Sequence, residues 1–88
     1  MTYAVLVTAS AKRDLDRIHP RVTPAIIEFL YGPLAEAPRR VGKPMREDLE
    51  GLYGARRGEF RLLYRIDEES ANVTVVRIGH RSQVYRPS

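Results

Sequence analysis

Apolar and polar residues alternate regularly along the segment 58–66. Successive side chains of a β-strand point to opposite faces, so this alternation predicts a strand with one face in a core. The residues predicted to face the core are Phe60, Leu62, Tyr64 and Ile66. Arg61 and Arg65 fall on the opposite face, which makes that face basic.

A second strand is predicted over residues 73–78, where β-branched side chains dominate. The polar segment 67–72 separates the two strands and predicts that they form a hairpin. Arg77 is expected to face outward, because a buried and unpaired guanidinium group would be costly. The same register places Val76 and Ile78 in the core.

Two helices are predicted before the hairpin. The first covers residues 11–18, where apolar side chains recur at helical spacing and Ser10 is a suitable N-cap. The second helix starts either at Pro20 or at Pro24. The later start, with Thr23 as the N-cap, avoids a proline deep inside the helix, where it would remove a backbone hydrogen bond.

The remaining segments complete the predicted order of elements. Strands are predicted at 2–8 and 52–57, whereas 38–44 is rich in Pro, Gly and basic residues and is predicted to be a loop. The order β-α-α-β-β-β predicts an α+β fold, with two N-terminal helices packed on one face of a mostly antiparallel four-stranded sheet. With 88 residues, the chain is expected to form a single domain spanning 1–88.

Arginine dominates the charge of the chain. Fifteen basic residues, thirteen of them Arg, outweigh eleven acidic residues and leave a net charge of +4. Guanidinium groups bind phosphates bidentately and stack on bases, so this surplus favours a nucleic-acid or acidic-protein partner. A merely hydrated basic surface would have the same composition, and charge by itself does not separate these two interpretations.

Cysteine is absent and only two histidines occur, so neither a disulfide nor a metal site is expected, and no cofactor. No apolar run reaches the ~18–20 residues that a transmembrane helix needs. The start of the chain lacks the charged segment typical of a signal peptide. We therefore expect a cytoplasmic protein with no membrane partner.

Taken together, these segments resemble the RelE/ParE superfamily of bacterial toxins, and more closely its RelE branch. The resemblance covers nearly the whole chain and includes the strand motif Phe-Arg-Leu-Leu-Tyr-Arg-Ile at 60–66. The other matching segments, in order and spacing, are 10–15, 37–38, 42–45, 49–51, 79–81 and 84–86.

The resemblance implies a toxin of a type II toxin–antitoxin system. RelE-type toxins are ribosome-dependent endoribonucleases that cut messenger RNA in the ribosomal A site. A co-expressed antitoxin wraps around them and holds them inactive. The implied activity is therefore that of a metal-independent mRNA interferase, whose partners are a cognate antitoxin, the ribosome and messenger RNA.

Three residues match functional positions of the family. Arg61 matches the arginine that stabilises the scissile phosphate, and Arg81 matches an arginine just after the last strand. Tyr85 matches a tyrosine that stacks on the codon base. Further cations expected to hold the RNA backbone are Lys43, Arg56, Arg57, Arg65 and Arg77.

The proton acceptor is the position at which this chain departs from the family. The best-known RelE carries two lysines on the strand before the arginine strand, whereas this chain has Leu52 or Tyr53 and Gly54 there. Attack of a ribose 2′-OH requires a group that takes its proton, and arginine is a poor base. His80 is the candidate, because its ordinary pKa of about 6.5 suits proton transfer near neutrality. His80 would point at the helices if the strand continued regularly, but Gly79 would let the backbone turn before His80.

Other interpretations stay open. A ParE-like protein would inhibit DNA gyrase by binding, without cutting RNA, although the C-terminal Arg81 and Tyr85 favour the RelE branch. A toxin that has lost catalysis would be an RNA- or protein-binding module, as the missing lysines would suggest. At the level of side chains, the strand arginines could pair with nearby acids, His80 could bond a backbone carbonyl, and Tyr85 could cap the core.

Overall fold

In a computed structural model, residues 2–82 of the chain are described. The strands are β1 (Ala4–Val7), β2 (Gly42–Pro44), β3 (Tyr53–Arg57), β4 (Phe60–Asp67) and β5 (Asn72–His80). The α-helices are α1 (Ala9–Arg17), α2 (Thr23–Phe29) and α3 (Pro38–Val41). Short π-helical and 3-10 turns occupy Leu30–Leu34 and Glu47–Leu49. None of the helices within residues 2–82 is long and apolar enough to cross a bilayer.

The strands form one five-stranded sheet in the order β1-β5-β4-β3-β2. β1 runs parallel to β5, and the other neighbours are antiparallel. The α+β class and the mostly antiparallel sheet are confirmed, but the prediction of four strands is wrong. The additional strand is β2, which lies at the sheet edge within the predicted loop. Three residues, Gly42, Lys43 and Pro44, are too few to show an alternating pattern, and an edge strand tolerates the proline.

Helix α1 begins earlier than predicted because Thr8 caps it. The Thr8 backbone is extended, and its hydroxyl accepts a hydrogen bond from the Ala11 N–H at 3.1 Å. Ser10, the predicted cap, lies within the helix. Helix α2 takes the later of the two predicted starts, with Pro24 in its first turn, where a missing N–H costs little. Its N-cap is Val22 instead of the predicted Thr23, and no side chain caps this end.

The helices cover one face of the sheet. Side chains of β4 and β5 form the core with apolar residues of α1, α2 and the π-helical turn, among them Ala11, Ile18, Ile26, Leu30 and Leu34. Phe60, Leu62 and Ile66 face this core as predicted, and Tyr64 is fully buried there.

A β-bulge changes the predicted register of β5. Leu63 pairs with Arg77, while Tyr64 pairs with Val75, so Val76 is the extra residue. The prediction that Val76 faces the core is therefore wrong. An extra residue shifts the alternation by one, which lets Val73 and Val75 enter the core together with Ile78 while Arg77 stays on the opposite face.

The buried Tyr64 holds β2 and α3 against the sheet. Its hydroxyl donates a hydrogen bond to the Pro38 carbonyl at 2.6 Å, and its ring stacks on Tyr53 with centroids 5.8 Å apart. Burial raises the pKa of Tyr64 well above its ordinary value, so the hydroxyl keeps the proton that it donates. Gly42 lies against this hydroxyl, and a Cβ there would overlap Tyr64 and lie 2.8 Å from the Gly54 carbonyl.

We expect Gly42→Ala to destabilise the fold by about 1–3 kcal/mol, because a rigid backbone and a buried ring surround the added methyl group. Urea denaturation followed by circular dichroism would measure this loss. Gly32→Ala is the matched control, since a Cβ at Gly32 meets no atom within 4 Å. Equal stability of the two variants would contradict the close packing of Gly42.

Candidate functional site

Two arginines lie side by side on the face of the sheet that the helices leave open, called the outer face below. Arg61 of β4 and Arg56 of β3 are Cα partners, so their side chains project to the same side. Like charges directly opposite each other destabilise a sheet unless something compensates for them. This pair therefore indicates a place where a bound anion would stabilise the structure.

The Arg56–Arg61 pair lies in a groove of about 570 Å³ on the outer face. The groove is lined by four cationic residues and by no acidic residue, the cations being Arg40, Lys43, Arg56 and Arg61. Its other lining residues are Val41, Gly42, Met45 and Gly54. A concave surface with one sign of charge concentrates counter-ions, so the groove is suited to a polyanion such as RNA.

Arg61 is the most firmly held cation of the groove. Arg61 is only 9% exposed. Its Nη1 donates hydrogen bonds to the carbonyls of Gly58 at 3.2 Å and Phe60 at 3.1 Å. Arginine has five N–H donors in a rigid fork, and these two bonds use only one nitrogen. The remaining donors are therefore held in place before any ligand arrives, which favours stabilisation of charge that develops during a reaction.

Lys43 enters the groove from the edge strand β2. Lys43 is the Cα partner of Gly54, and Gly54 is one of the positions at which the best-known RelE carries a lysine. Gly54 in turn pairs with Leu63, which shares the outer face with Arg61. The pairing of β2 with β3 thus places Lys43 beside Gly54, where β3 itself has no lysine. Sequence reasoning treated Lys43 only as a backbone contact, because β2 itself was not predicted.

His80 lies on the opposite side of the sheet from this groove. β5 continues through Gly79 to His80, which pairs with Phe60, and the two rings meet edge to face at 6.0 Å. Gly79 is the partner of Arg61, and neighbouring strand residues point to opposite faces. The expectation that the chain turns at Gly79 is therefore wrong in its geometry, and the structure does not bring His80 together with Arg61.

The comparisons with known proteins agree with this architecture. A family model described as "ParE toxin of type II toxin-antitoxin system, parDE" matches residues 5–85. The chain belongs to this toxin family. Toxin RelG of Mycobacterium tuberculosis is 49% identical over 86 residues, which cover 98% of this chain and 99% of the relative. Toxin RelE of the same organism is 48% identical over 84 residues, covering 96% and 87%.

Solved structures show the same fold. In a crystal structure of the M. tuberculosis toxin–antitoxin complex RelBE2, a chain matches this one with a TM-score of 0.89 and 48% identity, covering 92% of this chain and 100% of that chain. A mutant of E. coli toxin RelE in the free state matches with a TM-score of 0.72 and 19% identity, covering 91% and 84%. The second likeness supports the fold alone.

The remaining predicted RNA contacts of this toxin are divided between the two faces. Arg65 pairs with Thr74 and is exposed on the outer face, on the same strand as Arg61. Arg57 pairs with Phe60 and therefore lies on the helix side, where it lines a pocket with Glu28. The structure thus brings Arg56, but not its neighbour Arg57, into the groove with Arg61.

Arg77 projects from the outer face but is tied to the end of the sheet by Asp14. Its Nε donates to Asp14 Oδ2 at 2.9 Å, and the same oxygen accepts the Ile78 N–H at 2.8 Å. Asp14 belongs to α1. Its carboxylate accepts the Ile78 N–H on the part of the β5 edge that the short strand β1 does not reach. No sequence signal pointed to this carboxylate, because its partners are distant along the chain.

Arg81 follows β5 directly. Its N–H donates to the Glu59 carbonyl at 2.9 Å, which extends the β4–β5 ladder by one hydrogen bond. By the alternation of β5, Arg81 falls on the same face of the sheet as Gly79, which pairs with Arg61. Tyr85 lies outside the described residues 2–82, so its predicted stacking role rests on the resemblance.

Proposed function

We propose that this toxin is a ribosome-dependent endoribonuclease that cuts messenger RNA in the A site, and that its active site is the groove around Arg61. The observation that carries the proposal is the set of cations in that groove, which includes the opposed pair Arg56 and Arg61 and no acid. Such a set favours the binding of a phosphodiester and of the extra negative charge formed during its cleavage.

The proposed reaction is attack of a ribose 2′-OH on the adjacent phosphate, in which the O2′–P bond forms as the P–O5′ bond breaks. The products are a 2′,3′-cyclic phosphate and a 5′-hydroxyl, whose oxygen takes its proton from water. Arg61 faces the charge that develops on the phosphate oxygens, and Arg56 adds a second cation next to it. Arg81 and Arg65 supply further positive charge on the same side of the sheet. Tyr85 would stack on a codon base, as the resemblance implies.

Lys43 is the proposed proton acceptor. Arginine stays protonated in proteins, so among the charged groups that line the groove only Lys43 has a side chain that can give up and take back a proton. Lysine serves as a general base in enzymes for this reason. His80, on the opposite face, is too poorly oriented for the task in this arrangement.

Primer extension on messenger RNA after induction of the toxin tests the proposal. Cuts that follow the codon phase within translated regions are expected. DNA breaks that depend on gyrase, without cuts in messenger RNA, would instead support the gyrase-inhibitor alternative, which the ParE name of the family model keeps in consideration. Free RNA should be cut poorly, since so small a domain makes few contacts that orient the attacking hydroxyl.

The proposed protein partner is a cognate antitoxin, as in the RelBE2 complex of M. tuberculosis. Large apolar side chains remain exposed for such a partner, namely Leu6, Ile27 and Tyr31. Because screening by salt does not weaken the burial of apolar surface, we expect the complex to survive ~0.5 M NaCl, at which exposed charge pairs are heavily screened. Size-exclusion chromatography at low and high salt would measure this, and complete dissociation at high salt would contradict it.

A further inference from the structure

Both histidines of the chain line one small cavity beside α1 and the end of β5. His19 follows α1 and His80 ends β5, and the cavity between these elements has a volume of about 210 Å³. Arg17, Arg77 and Asp14 also line it. Since a water molecule takes up ~30 Å³, the cavity has room for an oxyanion and several waters. It is separate from the groove around Arg61.

The charged groups of this cavity leave a positive balance. Asp14 is its one lining acid, and that carboxylate already accepts hydrogen bonds from Arg77 and from the Ile78 N–H. Arg17 forms no ion pair with any acid of residues 2–82. The C-terminal end of α1 adds partial negative charge, which Arg17 in its last turn offsets. The lining residues themselves therefore carry two guanidinium groups against one carboxylate, and outside the lining the exposed carboxylate of Glu59 lies 3.6 Å from His80 Nε2.

Hydrogen bonds orient the cavity's donors in advance. Of the Arg77 donors, Asp14 accepts a hydrogen bond only from the Nε–H, so the four N–H donors on Nη1 and Nη2 remain available to a ligand. His19 Nδ1 accepts the Arg21 N–H at 3.1 Å, and His80 Nδ1 accepts the Ser82 N–H at 3.3 Å. An imidazole whose Nδ1 is an acceptor carries its proton on Nε2 when neutral. The neutral His19 ring can thus donate from Nε2, whereas His80 Nδ1 also contacts Ser82 Oγ at 3.0 Å and its Nε2 lies 3.6 Å from Glu59 Oε2.

We infer that this cavity is a second anion site that binds a phosphate group, either of an RNA backbone or of a free nucleotide. The charged groups that face the rings are Asp14, Arg17, Arg77 and Glu59, whose carboxylate lies 3.6 Å from His80 Nε2. This site does not depend on cleavage in the Arg61 groove.

Nuclear magnetic resonance of the histidine rings tests the inference, because the chain's two histidines both report on this cavity. Sulfate is the first probe, because it is a small oxyanion with the charge of a phosphate group. We expect sulfate to shift both ring signals, since both rings line the cavity.

Arg17→Ala should weaken sulfate binding by about tenfold, whereas Lys12→Ala removes a charge from the same helix outside the cavity and should leave binding unchanged. His19→Gln should also weaken sulfate binding while the fold is kept, because it removes a ring donor that lines the cavity. Unchanged ring signals in sulfate, or equal binding by the wild type and Arg17→Ala, would overturn the inference. Loss of messenger RNA cleavage with sulfate binding intact would overturn only the proposed nuclease activity.

Two further ligands distinguish the sources of the phosphate. A 2′-O-methyl oligouridylate cannot be cleaved by 2′-OH attack, so its binding can be measured without turnover. Both ligands are followed by the histidine ring signals in Arg61→Ala, so that binding in the Arg61 groove is not counted. Tighter binding of the oligonucleotide than of uridine monophosphate would assign the cavity to an RNA backbone phosphate. Equal or weaker binding of the oligonucleotide would assign it to a free nucleotide.

Discussion

Arg61→Ala is expected to lower cleavage of messenger RNA on the ribosome by about 10²–10³-fold, the loss typical when one charge-stabilising group is removed from a preorganised site. Arg61 is held in place by the carbonyls of Gly58 and Phe60 and lies opposite Arg56, which adds a second cation but not these fixed donors. Single-turnover cleavage on programmed ribosomes would measure the effect.

The controls for this variant separate charge from folding. Arg61→Lys keeps the positive charge but loses the two-pronged guanidinium fork, and we expect an intermediate loss of activity. Arg46→Ala removes an exposed arginine that does not line the groove, and it should cleave at the wild-type rate. Because Arg61 is largely buried, each variant should first be shown by circular dichroism to be folded. A folded Arg61→Ala protein with wild-type cleavage would refute the phosphate-binding role.

Lys43→Arg is expected to lower cleavage by about 10²-fold or more although the charge of the groove is unchanged. Arginine cannot accept the proton of the 2′-OH, and general base catalysis contributes about 10²–10⁴-fold. Lys43→Ala would remove charge and base together, so the arginine variant is the sharper test. Parallel single-turnover assays of the two variants would separate these contributions.

The pH dependence of the cleavage rate provides a second test of Lys43 as the proton acceptor. Only a neutral amine accepts a proton, so a lysine base requires a wild-type rate that rises with pH. This rise should be absent from Lys43→Arg and present in His80→Gln, whose ring lies on the other face of the sheet. The opposite pattern, with an intact rise in Lys43→Arg and none in His80→Gln, would return the base to His80 and imply that the end of β5 rearranges on the ribosome.

Local patterns in the sequence were sufficient for several features of the fold. The alternation in β4 predicted which side chains face the helices, including Tyr64, and which project outward as arginines. Helical spacing and proline positions located α1 and α2 to within a few residues. These features depend on neighbours two to four positions apart, so short stretches of sequence contain the necessary information.

The arrangement of the candidate site depended on contacts between distant segments. β2 is recognisable only through its pairing with β3, and this pairing sets Lys43 beside Gly54. The bulge at Val76 follows from the packing of apolar residues on both sides of it. The face occupied by His80 follows from the uninterrupted ladder with Phe60, and not from the flexibility that glycine allows at position 79.

The sequence by itself determined the class of fold, the basic outer face and the resemblance to RelE/ParE toxins, because periodicity, composition and motif spacing are properties of the chain alone. Only the tertiary structure decided which cations share a groove and which side of the sheet each histidine occupies. Hydrogen bonds between strands, an edge strand of three residues and a one-residue bulge set these positions. None of them leaves a periodic signal, since each joins residues that are far apart along the chain.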